Sequence, residues 1–381
     1  MPPDIDQSGP SPLPEVGQGI KVVLSDIHMG QGMRAGFANP YEEFHEDERL
    51  VELLRHYAGG RYADLPVELI LNGDILDLLR VPYRGRFVTE VTEDVAIDKV
   101  RRCVLGHPAV FDALADFAAR PDRRITYVAG NHDLDVAFPG VQRLLRARLG
   151  LDTSSPILQF CTKDEFYRLP GGVVVTHGHM LEAMSRTDAG TPLKALPDGR
   201  TVVNMPWSSY FVLDVLAPAK REQPLIDMVH PLSSFILWGL LFDPRFTVKI
   251  LWQIVHFYLK TPVRTMPRDD RGILKALQVL VEEMTLHDNL EGRAYRLLQS
   301  SDDMTALIVG HSHQAKTRRF VEGKTYVNTG TWEKVVSLDL RDLGPKSLLS
   351  YAVVEYPETG LPVVRLMRWR GESRVNEEMR L

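Results

Sequence analysis

Five short stretches of this chain carry side chains that hold cations and move protons. They are Asp26-Ile27-His28, Gly73-Asp74, Gly130-Asn131-His132-Asp133, His177-Gly178-His179 and Gly310-His311-Ser312-His313. Six of the chain's twelve histidines lie inside them. The donors are carboxylate and amide oxygens and imidazole nitrogens with no thiolate, a set that suits Mn²⁺, Fe or Zn²⁺ better than a structural zinc. Each stretch follows a short β-branched run: Lys21–Leu24, Glu68–Leu71, Arg124–Val128, Gly172–Val175 and Thr305–Val309. Read as strands, these runs place every stretch at a strand's C-terminal end, where open α/β sheets collect their ligands. Singly, each has an ordinary reading, such as an Asx-turn at Asn131 or a glycine loop at 310–313. Five in one order, all at strand ends, are hard to assemble by accident.

The elements that must position these residues alternate between strand and helix, which predicts an α/β fold. A helix is expected over Pro40–Tyr57, opening at Asn39, with Phe44, Leu50, Val51, Leu54 and Tyr57 inward. Its charges (Glu42, Glu43, Glu46, Asp47, Glu48) read as a solvated face, and His45 and His56 as surface residues. Pro108–Arg120 is a second helix, with His107 as its cap, and Val141–Leu149 is a short third. Thr325–Asn328 reads as a strand, and Ser350–Tyr356 with Leu361–Trp369 as a hairpin about Pro357–Gly360. The expected organisation is a disordered lead-in (1–19), a core (20–184 and 301–369), an inserted segment (185–300) and a polar, fraying tail (370–381).

Composition narrows the classes. At 381 residues the chain suits one large α/β domain with an insertion. A net charge of −5 and a pI near 6.2 provide no broad basic surface, so duplex nucleic acid is not an expected partner. Cys103 and Cys161 supply no disulfide framework, which fits a reducing cytoplasm. Residues 1–19 lack the basic start and apolar run of a signal peptide.

Taken together, the five stretches resemble the calcineurin-like metallophosphoesterase superfamily over roughly residues 20–183 and 303–365. The resemblance implies an α/β/β/α sandwich and two divalent cations, Mn²⁺ first, with Fe or Zn²⁺ as alternatives. It implies that Asp26, His28 and His313 hold one cation, that Asn131, His177 and His311 hold the other, and that Asp74 bridges them. His132 would stand outside the coordination sphere as the catalytic imidazole, with Asp133 holding its tautomer. Two cations about 3.5–4 Å apart lower the pKa of a bridging water and neutralise charge on the phosphoryl oxygens. The implied reaction is hydrolysis of a phosphoester or pyrophosphate. A nuclease or cyclic-nucleotide phosphodiesterase, and a non-catalytic scaffold, are the alternatives. His179, and Arg80, Arg84 and Arg86 just beyond the Gly73–Asp77 loop, are candidates for contact with the substrate.

The gap between His179 and His311 is far longer than one strand connection requires. It holds Trp207, Phe211, Phe235, Trp238, Phe242, Trp252 and Phe257, so a mostly helical cap is expected over residues 185–300. The uncharged apolar run Phe235–Phe242 is too short to span a bilayer. The open readings are a private core, a cap that holds an acyl chain, and an amphipathic face resting on a membrane. Ser25–Gly30, Gly73–Asp77 and Val327–Trp332 are similar to the UDP-2,3-diacylglucosamine pyrophosphatase branch, which implies a nucleotide-sugar lipid substrate. This chain departs from that branch in having Gly-Asn-His-Asp rather than Gly-Asn-Arg-Asp, and a longer insert.

Overall fold

The computed structural model describes residues 19–33, 39–163, 166–187, 190–224, 226, 229–230, 239–260, 289–321, 323–337, 344–357, 359–371 and 377–378. Two sheets face each other. The first runs through β1 (Ile20–Leu24), β2 (Val67–Asn72), β3 (Arg123–Val128) and β4 (Leu158–Cys161), all parallel. The second is built on β5 (Tyr167–Leu169), β6 (Val173–Val175), β10 (Ala306–Val309), β11 (Lys316–Arg319) and β12 (Thr325–Asn328), with β6, β10 and β12 parallel. The hairpin of β15 (Ser350–Glu355) and β16 (Val363–Arg368) joins the first sheet antiparallel to β1, and β17 (Glu377–Glu378) pairs with β16. Smaller pieces are the β7–β8 hairpin (Leu193–Ala195, Thr201–Val203) and a three-stranded sheet of β9 (Val229–His230), β13 (Val335–Ser337) and β14 (Gly344–Lys346).

Period-two alternation explains the layering. Val23, Ile70 and Val128 of the first sheet meet Val173, Val175 and Ile308 of the second in a dry seam. The intervening residues Val22, Leu24, Leu69 and Leu71 turn to the other face, where helices α1 (Asp47–Ala58), α2 (Glu93–Gly106), α3 (Pro108–Ala118) and α4 (Pro139–Arg148) cover them. Val174, Leu307 and Val309 turn to the outer face of the second sheet and pack on Leu290, Ala294 and Leu298. The architecture is therefore an α/β/β/α sandwich. Every parallel strand points its C-terminal end to the same edge.

The first helix begins later than expected, at Asp47. Glu42 and Glu43 are buried rather than solvated. Glu42 accepts the Gly30 and Gly32 amides at 3.1 and 2.6 Å, so residues 39–46 are held out of helical geometry by the loop after β1. His56 packs edge-on to Tyr57 and Tyr62 instead of lying on the surface, while His45 is exposed. α2 was not expected at all. Its inward positions Ala96, Lys99, Val100, Cys103 and Val104 include a lysine, paired with Asp135 at 3.3 Å, which masks the helical pattern. Neither Cys103 nor Cys161 forms a disulfide.

In the long connection, the helical segments α5 (Trp207–Phe211), a π-turn (Val212–Leu216) and α6 (Ala217–Lys220) are followed by α7 (Pro244–Lys260). Trp207, Phe257, Val215 and Met184 form one small core, and Phe246, Ile250, Ala219 and Ile226 another. The helix α8 (Asn289–Ser300) packs on the second sheet. Phe235 and Trp238, residues 1–18 of the expected lead-in and much of the tail lie outside the described residues. Among the described residues no helix is long and apolar enough to cross a membrane.

His107 joins α2 to α3, and its imidazole does not cap the helix. It bridges Asp47 at 2.8 Å and Glu42 at 3.4 Å. Burial lowers its pKa, but those two carboxylates override this and raise it to about 9. A pKa raised above the unfolded value contributes stability that is complete below about pH 6.5 and is lost as pH rises through 9. The melting-temperature difference between wild type and His107→Gln should therefore shrink between pH 6.5 and pH 10. A constant difference across that range would show that the ion pairs do not stabilise the fold.

Candidate metal centre

The five chemistry-bearing stretches converge at the C-terminal edge of the two sheets, on backbone that is strained. Asp26, His28, Asp74, His311 and His313 have φ between 51° and 69°, and account for five of the eight described non-glycine residues with positive φ. Left-handed backbone at β-strand exits costs on the order of 1–3 kcal/mol per residue and persists where the surroundings impose it. Glycines allow the close approach. A Cβ at Gly73 would lie 2.5 Å from the His177 ring, one at Gly130 would collide with Asp74 Oδ1, and one at Gly310 would collide with Asp26 Oδ2.

Two groups of donor atoms lie within 4.8 Å of one another: Asp26, His28 and His313, and Asp74, His177 and His311. Asp74 is also within that reach of His28 and His132, so its carboxylate stands between the two groups. His28 Nε2 is 3.1 Å from His313 Nε2 and 3.8 Å from Asp74 Oδ2. His177 Nε2 is 3.1 Å from Asp74 Oδ2 and 3.2 Å from Asn131 Oδ1. All seven expected ligands are thereby brought together. Lone pairs crowded this closely repel unless a cation or proton lies among them, and the O/N donor set fits hard or borderline divalent ions.

The outer partners orient these rings. His177 Nδ1–H donates to the Asn72 carbonyl at 2.9 Å, which aims Nε2 at the Asp74 and Asn131 oxygens. His311 Nε2 is bonded to Glu182 at 2.8 Å, and His313 Nδ1 lies 3.4 Å from Glu333. Asp26 is fixed by the His311 amide at 3.0 Å to each oxygen and by the Ser25 hydroxyl. The Val327–Trp332 segment supports both flanking stretches. Asn328 Nδ2 donates to the Gly310 carbonyl at 2.9 Å, and Thr331 Oγ1 to the Asp26 carbonyl at 2.8 Å. Glu182 and Glu333 escape a motif-based reading because they reach the site only through the fold.

Electrostatics follow from the crowding. Burial pushes Asp74 up, but the imidazoles of His177, His132 and His28 hold it well below the usual carboxylate range. Burial lowers His177 and His313, yet Asp74 and Asp26 respectively raise them to about 10 and about 9. His28 is pushed well below the ordinary imidazole value by burial and by His132.

His132 is half-buried beside the donors, and its amide donates to Asp74 Oδ1 at 2.8 Å. Its Nδ1 is hydrogen-bonded to Asp77 Oδ1 at 2.9 Å. This corrects the expected role of Asp133. The Asp133 carboxylate is occupied by the Ile75 and Gly130 amides and the Tyr127 hydroxyl, at 2.8, 2.6 and 2.7 Å, so it braces the loops and Asp77 holds the imidazole. Arg80 is also reassigned. It is buried against Glu43 and Asp77, not open to a phosphate. Arg84 and Arg86 stand exposed in the Tyr83–Arg86 turn. His179 is buried with its ring 5.4 Å from His177 and 6.4 Å from His311, and among the described residues its Nδ1 has no hydrogen-bond partner.

No protein-family model matches the chain, and no curated protein matches it. Solved structures do. A dimetal phosphatase from Danio rerio is 13% identical, with 94% of this chain and 98% of that chain covered and a TM-score of 0.38. A conserved protein from Streptococcus pneumoniae, described as a predicted phosphoesterase, is 11% identical over 95% and 97% of the chains, with a TM-score of 0.29. Vps29 from Entamoeba histolytica, complexed with zinc, is 11% identical over 94% and 98%, with a TM-score of 0.31. At these identities and scores the site rests on its own geometry.

The raised pKa values of His177 and His313 mean that protons occupy these rings at neutral pH in the metal-free protein. Metal uptake should therefore release protons and weaken as pH falls. Titrating Mn²⁺ or Zn²⁺ into weakly buffered protein at pH 7.5 should acidify the solution, and Asp74→Asn should retain little metal. Uptake without proton release, or full loading of Asp74→Asn, would contradict the ligand set.

Proposed function

We propose that the chain is a divalent-metal-dependent hydrolase of phosphate esters or pyrophosphate bonds. The observation that carries this reading is the convergence of two donor groups on Asp74 with an Asp77-backed imidazole beside them. Asp26, His28 and His313 would hold one cation, Asn131, His177 and His311 the other, and Asp74 both. When bound, two such ions supply Lewis acidity to phosphoryl oxygens and lower the pKa of a shared water.

The remaining work falls to the chain. Its anionic carboxylates Asp26 and Asp74 fix the donor geometry. His132, with Nδ1 committed to Asp77, has Nε2 left to give a proton to the departing oxygen. Burial lowers the His132 pKa, but Asp74 and Asp77 raise it above the ordinary imidazole value, which favours the protonated, donating form. A binding scaffold has no need of a buried carboxylate behind this ring. Arg84 and Arg86 are proposed to meet the substrate's phosphate or nucleotide portion.

A lipid-linked substrate is supported by α7. Val248, Trp252 and Val255 share one helical face and are exposed, Trp252 to 64%, while Phe246, Ile250 and Phe257 face inward. Leu241 and Phe242, the latter 79% exposed, lead into this face. An apolar helix surface of this kind suits the headgroup boundary of a bilayer.

Three outcomes follow. With Mn²⁺ the protein should hydrolyse nitrophenyl phosphoesters or a nucleotide-sugar pyrophosphate; no turnover across such a panel by the metal-loaded protein would overturn the hydrolase reading. His132→Ala and Asp77→Asn should each lower kcat, His132→Ala by roughly 10²–10⁴-fold, with metal content retained; emptying of the site in His132→Ala would make that residue a ligand instead. Trp252→Glu should abolish co-sedimentation with liposomes and the preference for acylated over water-soluble phosphoesters. Equal behaviour of the two proteins in both assays would leave α7 without a lipid role.

A further inference from the structure

Lys220 ends α6 in the long connection, outside the five chemistry-bearing stretches, and is only 1% exposed. A lysine ammonium this deep is stable only against an anion. Its Nζ is paired with Glu43, which is itself buried. Glu43 binds Arg80 Nη1, and the same Nη1 lies 3.3 Å from Asp77 Oδ2. Asp77 Oδ1 then accepts from His132 Nδ1 at 2.9 Å. The charges alternate along this row, plus at Lys220 and Arg80 and minus at Glu43 and Asp77, and they cancel. The neighbouring residue adds a second tie, Arg221 Nε donating to the Tyr41 hydroxyl at 2.7 Å, with Tyr41 edge-on to Phe87 at 5.0 Å. The helix that carries Lys220 is therefore seated on residues 41–43, the segment that Arg80 also grips.

We infer that Lys220 is a positioning residue for His132: through Glu43, Arg80 and Asp77 it couples the seating of the inserted helix to the orientation of the imidazole, an inference that rests on the phosphoesterase reading. The physical step is the sharing of Arg80. Asp77 Oδ1 accepts the Arg80 backbone amide at 3.3 Å as well as His132 Nδ1, and Oδ2 is held by its ion pair with Arg80 Nη1. With Lys220 present, Glu43 is neutralised from one side and Arg80 can serve Asp77. Without it, Glu43 competes for the guanidinium, the Arg80 side chain withdraws from Asp77, and the carboxylate keeps only its Oδ1 contacts and can tilt under His132. The ring then loses the fixed aim that proton donation to a leaving oxygen requires.

The test uses the full chain loaded with Mn²⁺ and two aryl phosphate esters, one with a good leaving group (2,4-dinitrophenyl) and one with a poor one (phenyl). A badly aimed acid matters only where the leaving oxygen needs a proton. Lys220→Met should lower kcat about tenfold or more on the phenyl ester, at the lower end of general-acid effects, and change it little on the dinitrophenyl ester. KM and metal content should hold, and Lys220→Arg should restore the phenyl ester rate. Equal losses on both esters, a change confined to KM, or no change would each overturn the inference. If Lys220→Met fails to fold, Glu43→Gln/Lys220→Met keeps the row neutral. It should fold with His132-dependent activity close to wild type, since Arg80 remains with Asp77; a selective phenyl ester defect in this double variant would also overturn the inference. His132→Ala serves as the reference. If it shows no leaving-group dependence, the role of His132 in the phosphoesterase reading fails; if it does and Lys220→Met is silent, only the coupling fails.

Discussion

Asp74 is a carboxylate with almost no access to water, and the imidazoles of His28, His132, His177 and His311 and the His132 amide surround it. Its charge is the interaction on which the rest of the site depends. Burial alone pushes its pKa up, and the nearby rings of His177, His132 and His28 more than reverse that push. In turn the Asp74 charge raises His177 and His132. A neutral side chain at position 74 would leave clustered imidazoles with no common anion, and divalent ions with no shared ligand. The left-handed backbone at Asp26, His28, Asp74, His311 and His313 is the conformational cost of aiming these donors inward.

The two-sheet sandwich makes that cost tolerable. Parallel strands from both sheets end at one edge, so residues far apart in sequence arrive as neighbours: His28 with His313, and Asp74 with His177. The interleaved apolar layer between the sheets holds the strand ends in fixed relation, and Val327–Trp332 ties the first and last stretches together through backbone carbonyls. Rigidity of this kind is what a preorganised site needs, because donors that drift by an ångström lose most of their effect.

The parts of the molecule that were legible from the residues alone are those with a local cause. The five strand-end stretches, α3, α4 and the β15–β16 hairpin follow from β-branched runs, proline starts and turn residues. The illegible parts depend on partners distant in sequence. Glu42 and Glu43 look like a solvated helix face until the Gly30 and Gly32 amides and Arg80 claim them. Lys99 interrupts the inward face of α2 because Asp135 neutralises it. Asp133 sits next to His132 in the chain, yet backbone amides take its carboxylate, and Asp77 arrives from a different loop to hold the ring. Buried charge is the common element: pattern reading assigns it to solvent, and only the fold reveals its counter-charge.

The central claim is that this edge holds two cations with Asp74 between them. Anomalous diffraction at the manganese edge, from crystals of the Mn²⁺-reconstituted protein, tests it most directly. The account predicts two peaks about 3.5–4 Å apart, one within bonding distance of Asp26, His28 and His313, the other of Asn131, His177 and His311, with Asp74 oxygen bound to both. A single peak, or two peaks that do not share Asp74, would contradict it.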